Sequence, residues 1–202
     1  MRANAPRRIM AFLFDFFVII FILTLLFRLF GDNLVKNQFG DYDHIYNSYQ
    51  ENLDDYNLRY DTLFISYEDD FLTLEEFDAA DKLMYDDFRN NNEYYINSIT
   101  LYYFNSALFF LFGYVILDYT HNLVTKGKTL GRRSMKIELA GRITWYTLFL
   151  REVMFKTLFW LVTLSAGIAI DFALIAFTSK KKTLRDYLSE TYVVYSGARY
   201  PF

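Results

Sequence analysis

The chain has 202 residues, enough for one ordinary domain, and a formal charge of −3; 53% of its side chains are hydrophobic and 21% aromatic, with 22 Phe and 18 Tyr. The absence of cysteine excludes disulfides, thiolate catalysis and cysteine-ligated zinc, and with only His44 and His121, far apart in sequence, a zinc site would have to be built mainly from carboxylates. The small net charge hides a division: residues 31–97 hold 17 acidic and 4 basic side chains, and the rest of the chain holds 7 acidic and 17 basic. A soluble core needs no such division, whereas a membrane protein keeps its cationic segments on the cytoplasmic side.

Residues 1–30 are predicted as an N-terminal segment and first span. The run IMAFLFDFFVIIFILTLLFRLF at 9–30 is long enough, as a helix, to cross a hydrocarbon core of about 30 Å. Arg2, Arg7 and Arg8 precede it. The run is too long for a secretory signal and no small-residue cleavage site follows, so an uncleaved span with its N-terminus inside is expected. Pro6 suits a helix start.

Residues 31–95 form an acidic, Tyr-rich insertion, expected on the extracytoplasmic side and partly helical. Thr73 and Glu76 have the spacing of a capping box, and Leu74, Phe77, Leu83, Met84 and Phe88 recur near helical spacing. These predict a helix over about 74–89, broken by Asn90, Asn91 and Asn92. Tyr42, Ile45, Tyr46, Tyr49, Leu53, Tyr56 and Tyr60 predict a second helix over 42–60. The stretch at 71–77 resembles the end of a calcium loop, but Ile65 and Tyr67 stand where acidic ligands belong and Asp70 where glycine belongs. The acid pairs Asp54/Asp55, Asp69/Asp70 and Asp86/Asp87 therefore read as a solvated surface.

Residues 96–118 are predicted as the second span, with Tyr102, Tyr103 and Tyr119 near its ends as an aromatic belt, and with Asn105 and Ser106 able to bond another helix. Residues 119–147 make a basic cytoplasmic loop: Lys126, Lys128, Arg132, Arg133, Lys136 and Arg142 face Glu138 alone. No nucleic-acid fold surrounds this charge, so a nucleic-acid partner is not expected. The run KIELAGRITW alternates about Ala140-Gly141 and predicts a local hairpin.

Residues 148–178 are apolar apart from Arg151, Glu152, Lys156 and Asp171. A single crossing would leave Lys180, Lys181, Lys182 and Arg185 outside, against the cationic-inside bias. With Ser165-Ala166-Gly167 as an apex, two legs of about 15 residues reach roughly 22 Å each, and a helical hairpin that enters and returns is predicted, its apex covered by protein. Residues 179–202 then form a cytoplasmic tail. The expected architecture is all-α: a polytopic membrane helical bundle with two full spans, a C-terminal membrane helical hairpin and a partly helical extracytoplasmic insertion, with both termini cytoplasmic.

Three pieces of the chain carry a resemblance. RRIMAFLFD at 7–15 places Arg8, Ala11 and Asp15; KGKTLGRRSMKIEL at 126–139 places Thr129, Leu130, Gly131 and Arg132; LRDYLSETYVVY at 184–195 places Asp186, Thr191, Val193 and Val194. In this order, with Arg151-Glu152 between the last two, they resemble the RDD family of bacterial membrane proteins, named for one arginine and two aspartates. Residues 31–97 lie outside the resemblance. It implies a multi-pass protein of the bacterial plasma membrane. It also implies a relation to transport proteins, some resembling cation–proton antiporters, or to partners of membrane enzymes.

The candidate site residues are the charges at membrane depth, Arg8, Asp15, Arg151, Lys156, Asp171 and Asp186, which are either functional groups or a polar staple between helices. Arg8 and Asp15 are seven residues apart, too far for a direct pair within one helix. Asp186 is the expected partner of Arg8, and Arg151 could reach Asp15. Asp171 and Lys156 could pair within the hairpin or face a water-filled cleft, and Arg151 and Glu152, being adjacent, are expected to point differently. Asp118 reads as solvated at the inner interface. Thr129, Gly131 and Arg132 read as a tight turn with basic residues facing anionic headgroups rather than a phosphate loop. The sequence holds no Ser–His–Asp set, metal-ligand pair on one helix or nucleotide loop, so neither enzyme activity nor a metal or cofactor is expected. The leading expectation is transport or ion coupling of a small cation or proton through these buried charges. The alternative is a non-catalytic partner or regulatory subunit that presents the acidic insertion to a membrane protein. Expected partners are the lipid bilayer and either such a protein or further copies of the chain.

Overall fold

The computed structural model describes residues 2–163, 166–178 and 182–197. The chain divides into two compact units, Met1–Leu26 with Phe110–Phe202, and Phe27–Phe109.

In the first unit, α1 (Ala5–Leu26) buries Ala11, Asp15, Ile19 and Leu23, one residue every four. That spacing puts them in a single stripe along the helix. Phe17 and Phe21 stand 63% and 66% exposed on the same helix. A soluble helix buries its large apolar side chains and exposes its polar ones. Here the large apolar groups face outward and a carboxylate is buried, as suits a helix solvated by lipid. The helical run Ala5–Phe39 and α5 (Glu93–Val124) are both long and apolar enough to cross a membrane. The expected spans at 9–30 and 96–118 fall inside these longer helices. Within this unit α1 meets α5 through Phe16 and Tyr114, whose rings are 5.8 Å apart.

The inner loop folds around a small sheet. After α6 (Leu130–Ser134), β1 (Ile137–Gly141) pairs antiparallel with β2 (Thr191–Tyr195), in the register Ile137↔Tyr195 to Gly141↔Thr191. The N-terminus joins at the far side, with Arg2 bridged to Val194 and the Ala3 amide donating to the Val193 carbonyl at 3.0 Å. Ala3, Ala11, Ile137, Leu139, Leu148 and Val193 form the buried core of this region. The fold is mostly helical but not all-α, and the expected local hairpin does not form. The second half of KIELAGRITW starts a helix instead: Thr144 and Thr147 make a reciprocal capping box at the head of α7 (Trp145–Leu148). Alternation identified β1 as a strand, but its partner lies some fifty residues downstream.

From α7 the chain continues as a π-helical segment, Phe149–Leu158, and then α8 (Phe159–Val162). The helix breaks at Thr163, whose carbonyl and hydroxyl accept from the Ala166 and Gly167 amides, both at 3.0 Å. The chain resumes in α9 (Ala166–Phe177), followed by α10 (Leu184–Leu188). Ser165 of the expected apex lies outside the described residues, as do Ser179, Lys180, Lys181 and residues 198–202 of the expected tail.

In the second unit, α1 is prolonged by a π-helical turn (Phe27–Gly31), α2 (Asp32–Lys36) and a 3-10 turn (Asn37–Phe39). Then α3 (Tyr42–Glu68) and α4 (Leu74–Asn91) form a helical hairpin. Both cover the helices expected at 42–60 and 74–89 and extend further. The capping box is present, with Glu76 bonded to the Thr73 amide and hydroxyl, and these bonds hold the Glu76 carboxyl below its ordinary pKa. The seam between α3 and α4 is aromatic. Tyr56 meets Phe88 at 4.8 Å and Tyr67 meets Phe77 at 5.0 Å between ring centroids. The three asparagines do not make a loop: Asn91 ends α4, and Asn92 caps it, buried, accepting from Asn52 at 2.7 Å.

Candidate functional site, a buried cluster of charges

The charged residues of the first unit meet where α1, α5, α6, the π-helical segment and α10 converge. Asp15, in the buried stripe of α1, accepts from the Thr129 hydroxyl at 2.5 Å and the Gly131 amide at 2.7 Å. Thr129 itself caps α6, so the Asp15 carboxylate sits over the first turn of that helix, where amides lack intrahelical partners. Arg151 does not reach Asp15. Its guanidinium is taken up instead by Asp186, Thr191 and Glu152.

Arg8 donates to Asp186 at 3.0 Å, the partner expected for it, and also to the carbonyls of Ala3 and Val193 at 3.2 and 3.1 Å. Asp186 is shared, since Arg151 bonds its other oxygen and also donates to the Thr191 hydroxyl at 2.7 Å. It is also the reciprocal cap of α10 with Thr183. Asp186 is fully buried, which by itself would favour its neutral form. Arg151 and Arg8 outweigh that effect and hold its carboxyl well below the usual aspartate range.

Glu152 is the hub of the other half. Its Oε1 accepts from Arg132 at 3.0 Å and from Arg151 at 3.2 Å, while Oε2 has no hydrogen-bond partner and faces Lys156 Nζ at 3.5 Å. Lys156 in turn donates to Asp118 at 2.7 Å. Asp171 accepts from the Leu184 amide at 2.9 Å and lies 3.6 Å from Arg185.

Several expectations are corrected here. Arg151 and Glu152 are both buried and touch each other at 3.2 Å, because these two long side chains bend toward shared partners in the cluster. Lys156 pairs with Asp118 and not with Asp171, which is taken up by α10. Asp118 is 2% exposed and ion-paired, so it is not a solvated interface residue. Arg132 does not face headgroups. It turns inward to Glu152, to Asn122 at 2.9 Å and to the Gly127 carbonyl at 2.8 Å. The roles of Asp118, Asn122 and Glu152 were missed, yet two signals were present: Asp118 and Asn122, and Glu152 and Lys156, each stand four apart in otherwise apolar helices.

These groups enclose a cavity of about 40 Å³, lined among others by Asp15, Asp118, Arg132, Arg151, Glu152 and Lys156. That is room for one to a few waters or a small ion, in a setting polar enough to hold either. Glu152, whose Oε2 makes no hydrogen bond, belongs to this lining.

Apolar helices long enough to span a bilayer, with charges turned inward and large apolar side chains turned outward, define an integral membrane protein of the helical class. The RDD family model matches residues 2–190, and the chain belongs to that family. No curated protein and no solved structure matches it. The arginine and two aspartates of the resemblance, Arg8, Asp15 and Asp186, all have buried partners in the cluster.

Proposed function

We propose that this RDD family membrane protein couples to, or carries, a small cation or proton through the buried cluster, with Glu152, Lys156 and Asp118 as the exchanging groups. The observation that carries this reading is Glu152, a residue lining a polar cavity, whose Oε2 has no hydrogen-bond partner and only the longer 3.5 Å ion pair with Lys156. Ionisable groups at membrane depth are costly and are retained where they do work. Asp15 and Asp186 are less suited to exchange, because each is bonded at both oxygens and anchors a helix start. Their part is to hold the cluster together. The reading is of a carrier or coupling protein rather than an enzyme. Purified protein in vesicles should move protons or sodium ions down an imposed gradient, and Glu152→Gln, which keeps size and removes the charge, should abolish that flux while leaving a folded protein. Wild-type flux in a stable Glu152→Gln protein would remove Glu152 from the mechanism.

The alternative is a partner subunit, and it draws on the insertion: Leu58, Phe71 and Leu83 are 68%, 79% and 75% exposed on an otherwise acidic hairpin. Stoichiometric recovery of a second protein from native membranes in mild detergent would favour it.

In the bilayer of a bacterial plasma membrane we place both termini and residues 119–147 on the cytoplasmic face, residues 31–95 outside, and 148–178 as a hairpin that enters and returns. The charge division and the helix break at Thr163 support this. Cysteine at Asn52 should react with an impermeant reagent in intact cells, and cysteine at Ser179 should not. Labelling at Ser179 would sink the hairpin.

A further inference from the structure

At the end of the sheet away from the N-terminus, the last ladder pair is Gly141↔Thr191. Arg142 follows Gly141 and Glu190 precedes Thr191, so two opposite charges flank the end of the ladder. The approach is close: a Cβ on Gly141 would lie 3.1 Å from the Thr191 Cα. Both residues are exposed, and among the described residues neither side chain closes an ion pair or hydrogen bond with the other or with a third group. Together they rim an open cavity of about 450 Å³ whose other walls include Trp145, Tyr146, Leu150 and Leu188. Trp145 is 66% exposed and Leu188 47% exposed. The Trp145 and Tyr146 rings meet edge to face at 5.8 Å. Aromatic rings with one polar edge, next to exposed aliphatics, are the side chains that settle at the headgroup level of a bilayer.

The cluster described above does not use any of these side chains. A ligand that fits them must carry a negative group for Arg142, a positive group for Glu190 within the span of one ladder pair, and an apolar part for Leu150, Leu188 and the Trp145 ring. An inorganic anion would leave Glu190 opposing it. A purely anionic lipid would gain at Arg142 and lose at Glu190. A phospholipid with a primary ammonium satisfies all three demands: its phosphate accepts from the guanidinium, its ammonium donates to the carboxylate, and its acyl chain runs along the apolar wall.

We propose that Arg142, Glu190, Trp145 and Leu188 form a binding site for the headgroup of a zwitterionic aminophospholipid of the phosphatidylethanolamine type. The site rests on residence in a bilayer and is independent of the ion-coupling reading. A quaternary ammonium has no N–H to give Glu190, so a choline headgroup binds less tightly, and a glycerol headgroup offers Glu190 no charge at all.

The test uses the full chain in detergent, with Trp160→Phe so that Trp145 is the sole tryptophan. Dihexanoyl phosphatidylethanolamine, phosphatidylcholine and phosphatidylglycerol are titrated separately while Trp145 emission is followed. The expected result is a saturable blue shift, with the ethanolamine lipid acting at a roughly tenfold lower concentration than the other two, the scale set by one charge-assisted hydrogen bond. Glu190→Gln should remove that preference, and Arg142→Gln should weaken all three lipids. Native mass spectrometry of the unmodified chain, counting retained lipids, should give the same order without any change at Trp160. A phosphatidylglycerol response equal to or stronger than that of the ethanolamine lipid, an unsaturable response, a preference that survives Glu190→Gln, or undiminished binding in Arg142→Gln overturns the proposal.

Discussion

Gly131→Ala should undo the docking of α6 on α1 and leave little folded protein. A Cβ at this position would lie 2.9 Å from the Ala11 carbonyl carbon, far inside van der Waals contact with its oxygen, and 3.0 Å from Asp15 Cγ. The obstacle is backbone, so no side-chain rotation relieves it. The two helices must separate, and the Gly131 amide then loses its 2.7 Å bond to Asp15. Overpacking of a core costs about 1–3 kcal/mol, and with backbone as the obstacle and a buried carboxylate losing a donor the cost should be about 3 kcal/mol or more. The measurement is monodisperse yield and melting temperature in mild detergent. Leu130→Ala, one residue away and 47% exposed in the wild type, serves as the control. An unchanged melting temperature for Gly131→Ala would refute the close approach.

Asp186→Ala should be comparably damaging for an electrostatic reason. It leaves the Arg151 guanidinium, 1% exposed, and that of Arg8 without the anion they share, and it removes the reciprocal cap of α10. Removing one member of a buried ion pair costs about 3–5 kcal/mol, because the remaining charge is stranded. Asp186→Asn retains part of the capping geometry and isolates the charge. Since the folded-state pKa of Asp186 is depressed, its stabilising contribution is complete above the unfolded aspartate value of about 4. It declines as pH falls below that value and is gone once pH passes the folded pKa. Melting temperature recorded from neutral to acid pH should therefore fall less steeply in Asp186→Asn than in the wild type, and curves of equal slope would show that Asp186 is not held ionised by its arginines.

The local sequence carries much of the fold. A long apolar run signals a spanning helix by length alone. Thr73 with Glu76, and the regular return of tyrosines from Tyr42 to Tyr60, signal the helices of the insertion, because a cap and a 3.6-residue period are properties of neighbouring residues. The pairing of β1 with β2 was not legible in the same way. Alternation in Ile137–Gly141 says that one face is buried, but nothing in it names a partner some fifty residues downstream.

The cluster divides along the same line. The sequence by itself determined which charges enter apolar helices, and so which must find partners: Arg8, Asp15, Arg151, Glu152, Lys156 and Asp171 cannot remain bare there. Only the tertiary structure decided the pairings. Asp15 took the start of α6 in place of Arg151, Lys156 took Asp118 in place of Asp171, and Asp186 took two guanidiniums at once. Two features explain why these were out of reach. The long side chains of Arg151 and Glu152, adjacent on the π-helical segment Phe149–Leu158, bend into one buried cluster. The close seat of Gly131 on Ala11 sets the depth at which α6 meets Asp15. One is a matter of side-chain path and the other of backbone path, and charge partners depend on angles and depths that a residue pattern does not encode.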